Sequence, residues 1–479
     1  MIVIGAGPAG AAAAVAASEC GLSVLVLDEA RAAGGRVYRA PDSWLEPSGG
    51  ARPAPTEGAK LRAALAGCGA ELAFGHCVWH ASRLLDGAGD SPRFEVSAIA
   101  DQRSMRAHSL ALIIASGTIE RFYPRPGWTL PGVIGLGAAS VMLKANGVLP
   151  GKRVVVVGPG PLALWTAKLI LDAGGSVAAV CDPNPRRAWT RLLPALARHA
   201  GPLARGGAWL AQLALAGVPI FYGWDVRAVQ GARQVERVIL GRVDGEWRPL
   251  RGSEEKMIEA DALCIGYGLA PATDLYQLLG AALRYEPIRG GWAPVLDRAQ
   301  RCTTAGLYAA GDSAGVLGAA AAPGTGRIAA LSAARDLGRL DDASYRHRIG
   351  IAQRALAGVA SFGSAMARLA EPRCAAAAWV PDSTIVCRCE DVLAGELRGA
   401  IAAGAQEINA LKAATRCGMG PCCGRVCGEA AGALLECAGF ARERIGQLTA
   451  RAPLRPVPLS ALTGNFDYSD IPFPRAADT

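Results

Sequence analysis

Aromatic residues make up only 6% of this 479-residue chain, and histidine occurs 5 times. Lys and Arg number 50 against 41 Asp and Glu, a net charge of +9, yet there is no Lys/Arg run and no basic stripe interleaved with aromatics. That argues against nucleic acid as a partner. No uncharged stretch is long and apolar enough to span a bilayer. Residues 1–18 carry no charged side chain, but they lack a basic start and are interrupted by Gly5, Gly7, Pro8 and Gly10. They read as strand, tight turn and helix rather than as a signal peptide or membrane span. With no secretory signal, 14 cysteines point to a reducing compartment where thiols serve metals, so a cytoplasmic location is expected. No convergent acid, base and carboxylate clamp for an amino-acid substrate is discernible, and no catalytic residue is assigned.

The length suggests two to four domains, each with its own core. Apolar residues at 51% and a mean hydropathy of +0.23 hint at surface buried in an assembly.

Ile2 to Ile4 reads as a buried strand, followed by Gly5-Ala6-Gly7-Pro8-Ala9-Gly10, a helix over Ala11 to Ser18, and a strand from Ser23 to Leu27 that ends at Asp28-Glu29. Strand, G-x-G-x-x-G, helix, strand and acid form a dinucleotide-binding unit. The glycines admit a pyrophosphate to the helix N-terminus, and the acid accepts from a ribose. Gly5, Gly7, Pro8, Ala9 and Gly10 are candidate cofactor contacts. Asp28 is the first candidate for the ribose and Glu29 the second.

The Gly34-Gly35-Arg36 loop is similar to one that closes over FAD in flavoproteins of the two-dinucleotide-domain type, implying contacts from Gly35 and Arg36. No cysteine pair follows the loop, so a dithiol mechanism is unsupported. Leu72 to Trp79 alternates like a strand, and Val78 on it joins the candidate FAD set. His76 and His80 read as structural or surface residues. Leu110 to Ala115 reads as a strand, and Ala115-Ser116-Gly117 resembles the A-T-G segment that leaves the FAD domain. Leu307 to Gly311-Asp312 is placed to supply a carboxylate to the ribityl chain of FAD. Gly324 to Ala334 reads as a helix whose N-terminus faces the flavin ring or its phosphates.

A second fingerprint runs from the strand Val154 to Val157 into Gly158-Pro159-Gly160-Pro161-Leu162-Ala163. Its second strand, Ser176 to Val180, ends at Cys181-Asp182, with the acid one place later than in the first copy. The fold is expected to be nucleotide-binding. Its occupant stays open among NAD(P), another adenine nucleotide such as ATP, and none. No Cys-x-x-Cys lies in this unit. Pro126 to Val133 is dense in Pro and Gly and reads as a loop at a domain junction.

Six of the cysteines lie between Cys387 and Cys427. Cys387-Arg388-Cys389 sends two thiolates off one turn, and a second group lies among glycines that let backbone wrap a bulky centre. Four thiolates in two close pairs suit an iron–sulfur cluster. Structural zinc also takes four cysteines but usually as paired C-x2-C. The segment resembles the bacterioferritin-associated-ferredoxin-like (BFD-like) [2Fe–2S] domain. That resemblance implies Cys387, Cys389, Cys422 and Cys427 as ligands. Cys417 and Cys423 are additional thiols that could displace one of the second pair. Arg388, Lys412, Arg416 and Arg425 are near enough in sequence to offset the cluster's charge, though at least half are expected to be plain surface charges.

Over nearly its full length the chain resembles the α (A) subunit of hetero-oligomeric FAD-dependent amino-acid and opine dehydrogenases. The segments Pro126 to Val133 and Cys387 to Val392 with Gly418 to Cys422 carry the resemblance. It implies an α/β fold: a two-dinucleotide-binding-domain flavoprotein, with an NAD-type Rossmann-like domain inserted in the FAD domain, plus a small C-terminal α-rich [2Fe–2S] domain. The expected boundaries are 1–120 and 276–342 for FAD, 121–275 for the insert, 343–380 for a helical connector, 381–450 for the cluster and 451–479 for a Pro-rich extended tail. The implied partners are a β subunit of the FAD-dependent amine or amino-acid oxidase type, which oxidises the substrate, and as a further candidate a small ferredoxin-like γ subunit. This chain would transfer electrons through FAD and the cluster. A stand-alone NAD(P)H-dependent flavin and iron–sulfur reductase is the alternative. A docking or redox-sensing role for the C-terminal module is a third reading.

Overall fold

In a computed structural model, residues 1–41, 56–84, 93–101 and 103–462 are described. Two parallel five-stranded sheets organise the chain. The first has the order Leu307–Ala309, Leu112–Ile114, Ile2–Ile4, Leu25–Asp28, Glu71–Phe74. The second has the order Ile220–Tyr222, Ser176–Asp182, Arg153–Val157, Ala262–Ile265, Val133–Gly135. Their strands are nearly continuous apolar runs, as expected where helices cover both faces. The last strand of the first sheet comes after the whole second sheet in sequence. The second unit is therefore an insertion, and two crossings join the units. Thr118–Glu120 leads out and Leu269–Pro271 leads back, paired antiparallel. Two antiparallel three-stranded sheets flank these units, Cys77–Leu84 with Arg93–Ala100 and Arg103–Ser109, and Trp224–Gln230 with Arg237–Arg242 and Glu255–Glu259.

The first helix begins already at Pro8 and runs to Ser18. Its alanines are buried almost all round because the helix Ala322–Asp336 lies directly on it. A Cβ on Gly326 would collide with the Ala9 carbonyl, so glycine permits that approach. The alternation over Leu72 to Trp79 turns out to be two strands, Glu71–Phe74 and Cys77–Leu84. Gly75, at φ +73, turns the chain out of the parallel sheet into the antiparallel one. His76 Nδ1 pairs with the Phe74 carbonyl at 2.9 Å, and the His80 ring stacks on Trp79.

The helix Asp342–Ala367 fills most of the stretch expected as a helical connector. It is capped by Asp341, whose carboxylate accepts from the main-chain N–H of Ala343 and Ser344 at 3.0 and 2.9 Å. The cysteine-rich segment is a small helical unit, with the hairpin Ile385–Cys387 and Val392–Leu393 and the helices Ala394–Ala402, Ile408–Thr415 and Gly428–Cys437. It has no separate core. Val386, Leu397, Leu411 and Leu434 join Val155, Val157, Trp224 and Leu240 of the second unit in one continuous apolar cluster. After Arg451 the described tail ends in the short helix Leu459–Leu462, and the remainder, with Pro472 and Pro474, lies outside the described residues.

Candidate functional site

The first fingerprint forms a cradle whose backbone is set by close approaches. Gly5 (φ +101) faces the Ala115 carbonyl so closely that no side chain fits, and the Ala115 N–H donates to the Ile4 carbonyl at 2.8 Å. A Cβ on Gly10 would strike the Gly5 carbonyl. Gly35 packs against Gly7, where a Cβ would lie 3.0 Å from the Gly7 Cα, and the Gly34 N–H donates to the Ala6 carbonyl at 2.9 Å. Gly7, Pro8, Ala9 and Gly35 thus form one wall. From the other end of the domain comes Gly311, which a Cβ would place 2.8 Å from that of Ala9. The Gly311 N–H donates to Thr325 Oγ1 at 2.8 Å, and Asp312 Oδ1 accepts from the N–H of Leu317 and Gly318 at 3.0 and 2.8 Å. Burial still raises the Asp312 carboxyl above its ordinary range.

Asp28 and Glu29 divide the work at the strand end. Asp28 Oδ2 accepts from the Ala6 N–H at 2.5 Å and so holds the glycine loop, while Oδ1 accepts from the Ala30 N–H at 2.7 Å and fixes the turn after its own strand; burial raises its pKa. Glu29 is exposed beside it. Ser116 is exposed, its hydroxyl donating to the Ala272 carbonyl at 3.4 Å, and Gly117 turns at φ +73. Val78 is half-buried on the strand after Gly75. Arg36 is exposed, and its carbonyl and that of Val37 accept from Lys144 of the inserted unit at 3.3 and 3.1 Å.

The thiols converge in the small helical unit. The sulfurs of Cys387, Cys417 and Cys427 lie within 4.8 Å of one another, all buried. Cys427 is also in hydrogen-bond contact with Cys422, and Cys422 with Cys389. Cys427 thus touches Cys387, Cys417 and Cys422, and Cys422 touches Cys389, so the four thiols expected as ligands lie in one chain of contacts with Cys417 beside them. This suits a centre in which two thiolates hold each iron. Glycine makes room: a Cβ on Gly420 would overlap that of Cys389. Cys423 turns away, exposed, its sulfur 3.7 Å from the Pro421 carbonyl. Of the four nearby cations, Arg425 reaches the Cys422 carbonyl at 3.2 Å, whereas Arg416 pairs with Glu390 and Arg388 lies over the Trp128 ring. Trp128, from the junction loop, donates to the Ile385 carbonyl at 2.7 Å and so braces the strand that carries Cys387.

Residues 1–338 match the pyridine nucleotide-disulphide oxidoreductase family, and residues 385–436 match the BFD-like [2Fe-2S] binding domain. The A subunit of opine oxidase from Agrobacterium tumefaciens (strain Ach5) is 34% identical, aligned over 96% of this chain and 91% of its own length. HcnB of Pseudomonas aeruginosa, a subunit of hydrogen cyanide synthase, is 33% identical, over 96% of this chain and 97% of its own. The chain belongs to the opine oxidase A-subunit family of pyridine nucleotide-disulphide oxidoreductases. The crystal structure of L-proline dehydrogenase from P. horikoshii shares the fold, with a TM-score of 0.68 at 20% identity over 96% of this chain and 78% of that one. As in other chains of these families, the cofactors are FAD and a [2Fe–2S] cluster.

In this opine oxidase-type chain the second fingerprint keeps its fold but is covered by the chain itself. A Cβ on Gly160 would lie 3.6 Å from that of Leu369, in the short turn Arg368–Ala370 that follows the long connector helix. Asp182, at the ribose position, accepts from the Gly160 N–H (3.3 Å), the Trp189 indole (2.8 Å), and the main-chain and side-chain N–H groups of Asn184 (2.8 and 2.9 Å). Asn184 also donates to the Leu369 carbonyl at 2.9 Å. Leu192, Leu196, Ala365 and Leu369 close over the site as an apolar cluster. Burial raises the Asp182 carboxyl to about 6.

Three polar residues of the outward crossing have no motif to announce them. Glu120 is enclosed by Gly135, Gly137 and Gly266, accepts from the Gly137 N–H at 3.1 and 3.2 Å, and is pushed by burial up to about 7. Arg121 and Arg125 are fully buried and each ties the insert to the connector. Arg125 pairs with Asp225 at 2.6 Å and donates to the Ala376 carbonyl at 2.8 Å. The charge-dense sequence Glu120-Arg121-Phe122-Tyr123-Pro124-Arg125 is the sole hint in the sequence.

Proposed function

We propose that this chain is the electron-transfer subunit of a hetero-oligomeric dehydrogenase that oxidises a secondary amine, an amino acid or an opine, to an imine on a partner subunit. Oxidising a CH–NH bond to an imine releases an electron pair and two protons, and this chain passes the electrons to an acceptor. When bound, flavin exchanges electron pairs or single electrons, and a [2Fe–2S] centre exchanges one at a time. The chain's own part is to seat them. Gly5, Gly7, Pro8, Ala9, Gly10, Gly35, Ala115, Gly311 and Asp312 shape the flavin cradle. Arg36, Val78, Ser116 and Gly117 line its approaches, and Asp28 and Glu29 serve its ribose end. Cys387, Cys389, Cys422 and Cys427 take the cluster. The partner is a β subunit of the FAD-dependent amine or amino-acid oxidase type. A small ferredoxin-like γ subunit is a further candidate, and the complex works in the cytoplasm. Among the described residues no helix is long and apolar enough to cross a membrane.

The observation that carries this reading over a stand-alone NAD(P)H reductase is the covering of the second fingerprint by Leu369, Trp189 and Asn184. Where a nicotinamide nucleotide would lay its pyrophosphate and ribose, packed side chains already use the donors and acceptors. The test is anaerobic spectroscopy of the flavin-loaded chain. NADH and NADPH should leave the flavin bands unchanged, and adding the co-purified partner with its amine substrate should bleach them. Rapid bleaching by NADH alone would overturn the proposal in favour of the reductase.

A further inference from the structure

Two thiols outside the iron–sulfur group also meet. Cys374 precedes the short helix Ala375–Ala378 of the connector, and Cys437 is the last residue of the helix Gly428–Cys437. The two helices pack on each other, and their buried alanines Ala376, Ala377, Ala430 and Ala431 belong to one apolar cluster. Side chains this small let the backbones approach, and the thiols of Cys374 and Cys437 are in hydrogen-bond contact. Cys437 is exposed and Cys374 half-buried, so a small molecule can reach the pair. The whole length of the helix separates Cys437 from Cys427 at its head.

The pair sits where three parts of the chain come together. Arg373, the residue before Cys374, is fixed to the inserted unit. Its main-chain N–H donates to the Tyr123 hydroxyl at 3.2 Å, its Nη1 lies 3.3 Å from Glu246, and its guanidinium lies over the Trp247 ring. The Cys374 side is therefore held. The helix that ends at Cys437 is held at its other end by Glu429, 3.3 Å from Arg121 Nε. A bond between the two sulfurs would fix its second end to the connector. It would also close a loop from 374 to 437 that contains all four thiols expected as cluster ligands. The local chemistry divides the roles. Hydrogen bonding from Cys437 pulls the Cys374 thiol down to about 7, while the Cys437 thiol is raised and keeps its proton. Cys374 is thus the attacking sulfur and Cys437 the resolving one.

We propose that Cys374 and Cys437 form a reversible disulfide, made by a small-molecule disulfide of the glutathione type, that clamps the cluster unit to the connector. The Cys374 sulfur attacks one sulfur of the oxidant and forms a mixed disulfide. The first small thiol leaves with the Cys374 proton. The Cys437 sulfur then attacks the Cys374 sulfur, and the second small thiol leaves with the Cys437 proton. Two electrons and two protons pass from the pair to the small disulfide, and no iron takes part. In a reducing compartment both residues stay thiols, and the bond forms when the thiol–disulfide poise turns oxidising. Closing the loop restricts the unfolded excursions of the segment that carries the ligands, so the closed form holds its cluster more firmly.

The experiment uses the full chain with flavin and cluster, kept anaerobic, with glutathione disulfide as oxidant and dithiothreitol as reductant. Alkylation and peptide mass mapping should show a Cys374–Cys437 cross-link and loss of both free thiols, with iron and labile sulfide unchanged. Dithiothreitol should restore the thiols. The oxidised protein should keep its iron–sulfur absorbance to a higher temperature than the reduced protein, and that difference should vanish in Cys374→Ser/Cys437→Ser. In Cys437→Ser alone, Cys374 should retain a bound glutathione. Wild-type protein that carries glutathione on either cysteine without the cross-link, or that leaves both unmodified, overturns the proposal. So does a cross-link that appears only as iron is lost. Equal thermal loss of absorbance with and without the cross-link would overturn the clamp. These comparisons need wild-type protein alone, so they stand even where a variant does not fold.

Discussion

Arg121 Nε lies 3.3 Å from Glu429 Oε2, joining the outward crossing of the flavoprotein unit to the first turn of the cluster unit's helix Gly428–Cys437. The Arg121 side chain is wholly buried and also donates to the carbonyls of Tyr267, Ala370, Leu269 and Gly290. One guanidinium thus connects both crossings, the connector and the cluster helix, which fixes the two redox centres relative to each other.

Arg121→Met should accordingly be severely destabilising, by roughly 3–5 kcal/mol, because it leaves Glu429 and several buried carbonyls without a donor. Glu429→Gln keeps an acceptor oxygen and should cost far less. Thermal unfolding followed by loss of the iron–sulfur absorbance checks the order of the two variants.

Glu120 gives stability a pH dependence of definite sign. Its folded pKa, about 7, lies above the ordinary 4.5, so the folded chain holds the extra proton and stability falls as pH rises between those values. The shift corresponds to about 3 kcal/mol at full ionisation. Glu120→Gln should flatten the denaturation midpoint across that window, raising stability relative to wild type at pH 8 and changing it little at pH 4. A wild-type midpoint that climbs from pH 5 to 7 in parallel with the variant would contradict this.

Gly10→Ala should abolish flavin binding, since the new methyl group would overlap the Gly5 carbonyl inside the cradle. Gly21→Ala is the control. At φ +73 with nothing within 4 Å, it should cost only about 1 kcal/mol of backbone strain and keep its flavin. The ratio of flavin to protein absorbance after purification separates them.

Glu29→Ala should weaken FAD binding about tenfold, the loss of roughly one hydrogen bond to a charged acceptor, with folding unchanged. Asp28→Ala should instead disorder the glycine loop, because the Ala6 and Ala30 N–H groups lose their acceptor. Flavin release followed by fluorescence, alongside circular dichroism, distinguishes weakened binding from lost structure.

Cys423→Ser should retain the wild-type iron content, as its sulfur faces away from the other thiols, whereas Cys427→Ser should lose most of it. An iron assay on both proteins is sufficient.

Much of the fold is written locally. Strand, glycine turn, helix and acid occur twice in order, and each copy dictates its own sheet because the glycines and apolar runs leave few other conformations. The helix Asp342–Ala367 starts where the Asp341 carboxylate caps it. The error at Leu72 to Trp79 was one of punctuation. Gly75 sits within an alternating run, and its left-handed turn splits one expected strand between two sheets.

The sequence by itself determined the two nucleotide-binding folds, the FAD cradle and the presence of an iron–sulfur domain, because those depend on residues at short, fixed spacings. Only the tertiary structure decided that Leu369 covers Gly160, that Arg121 reaches Glu429, and that Cys417 rather than Cys423 joins the thiol group. These contacts join residues far apart in the chain or set the direction of a side chain within a turn. The packing of the whole, and not the spacing of any motif, selects them.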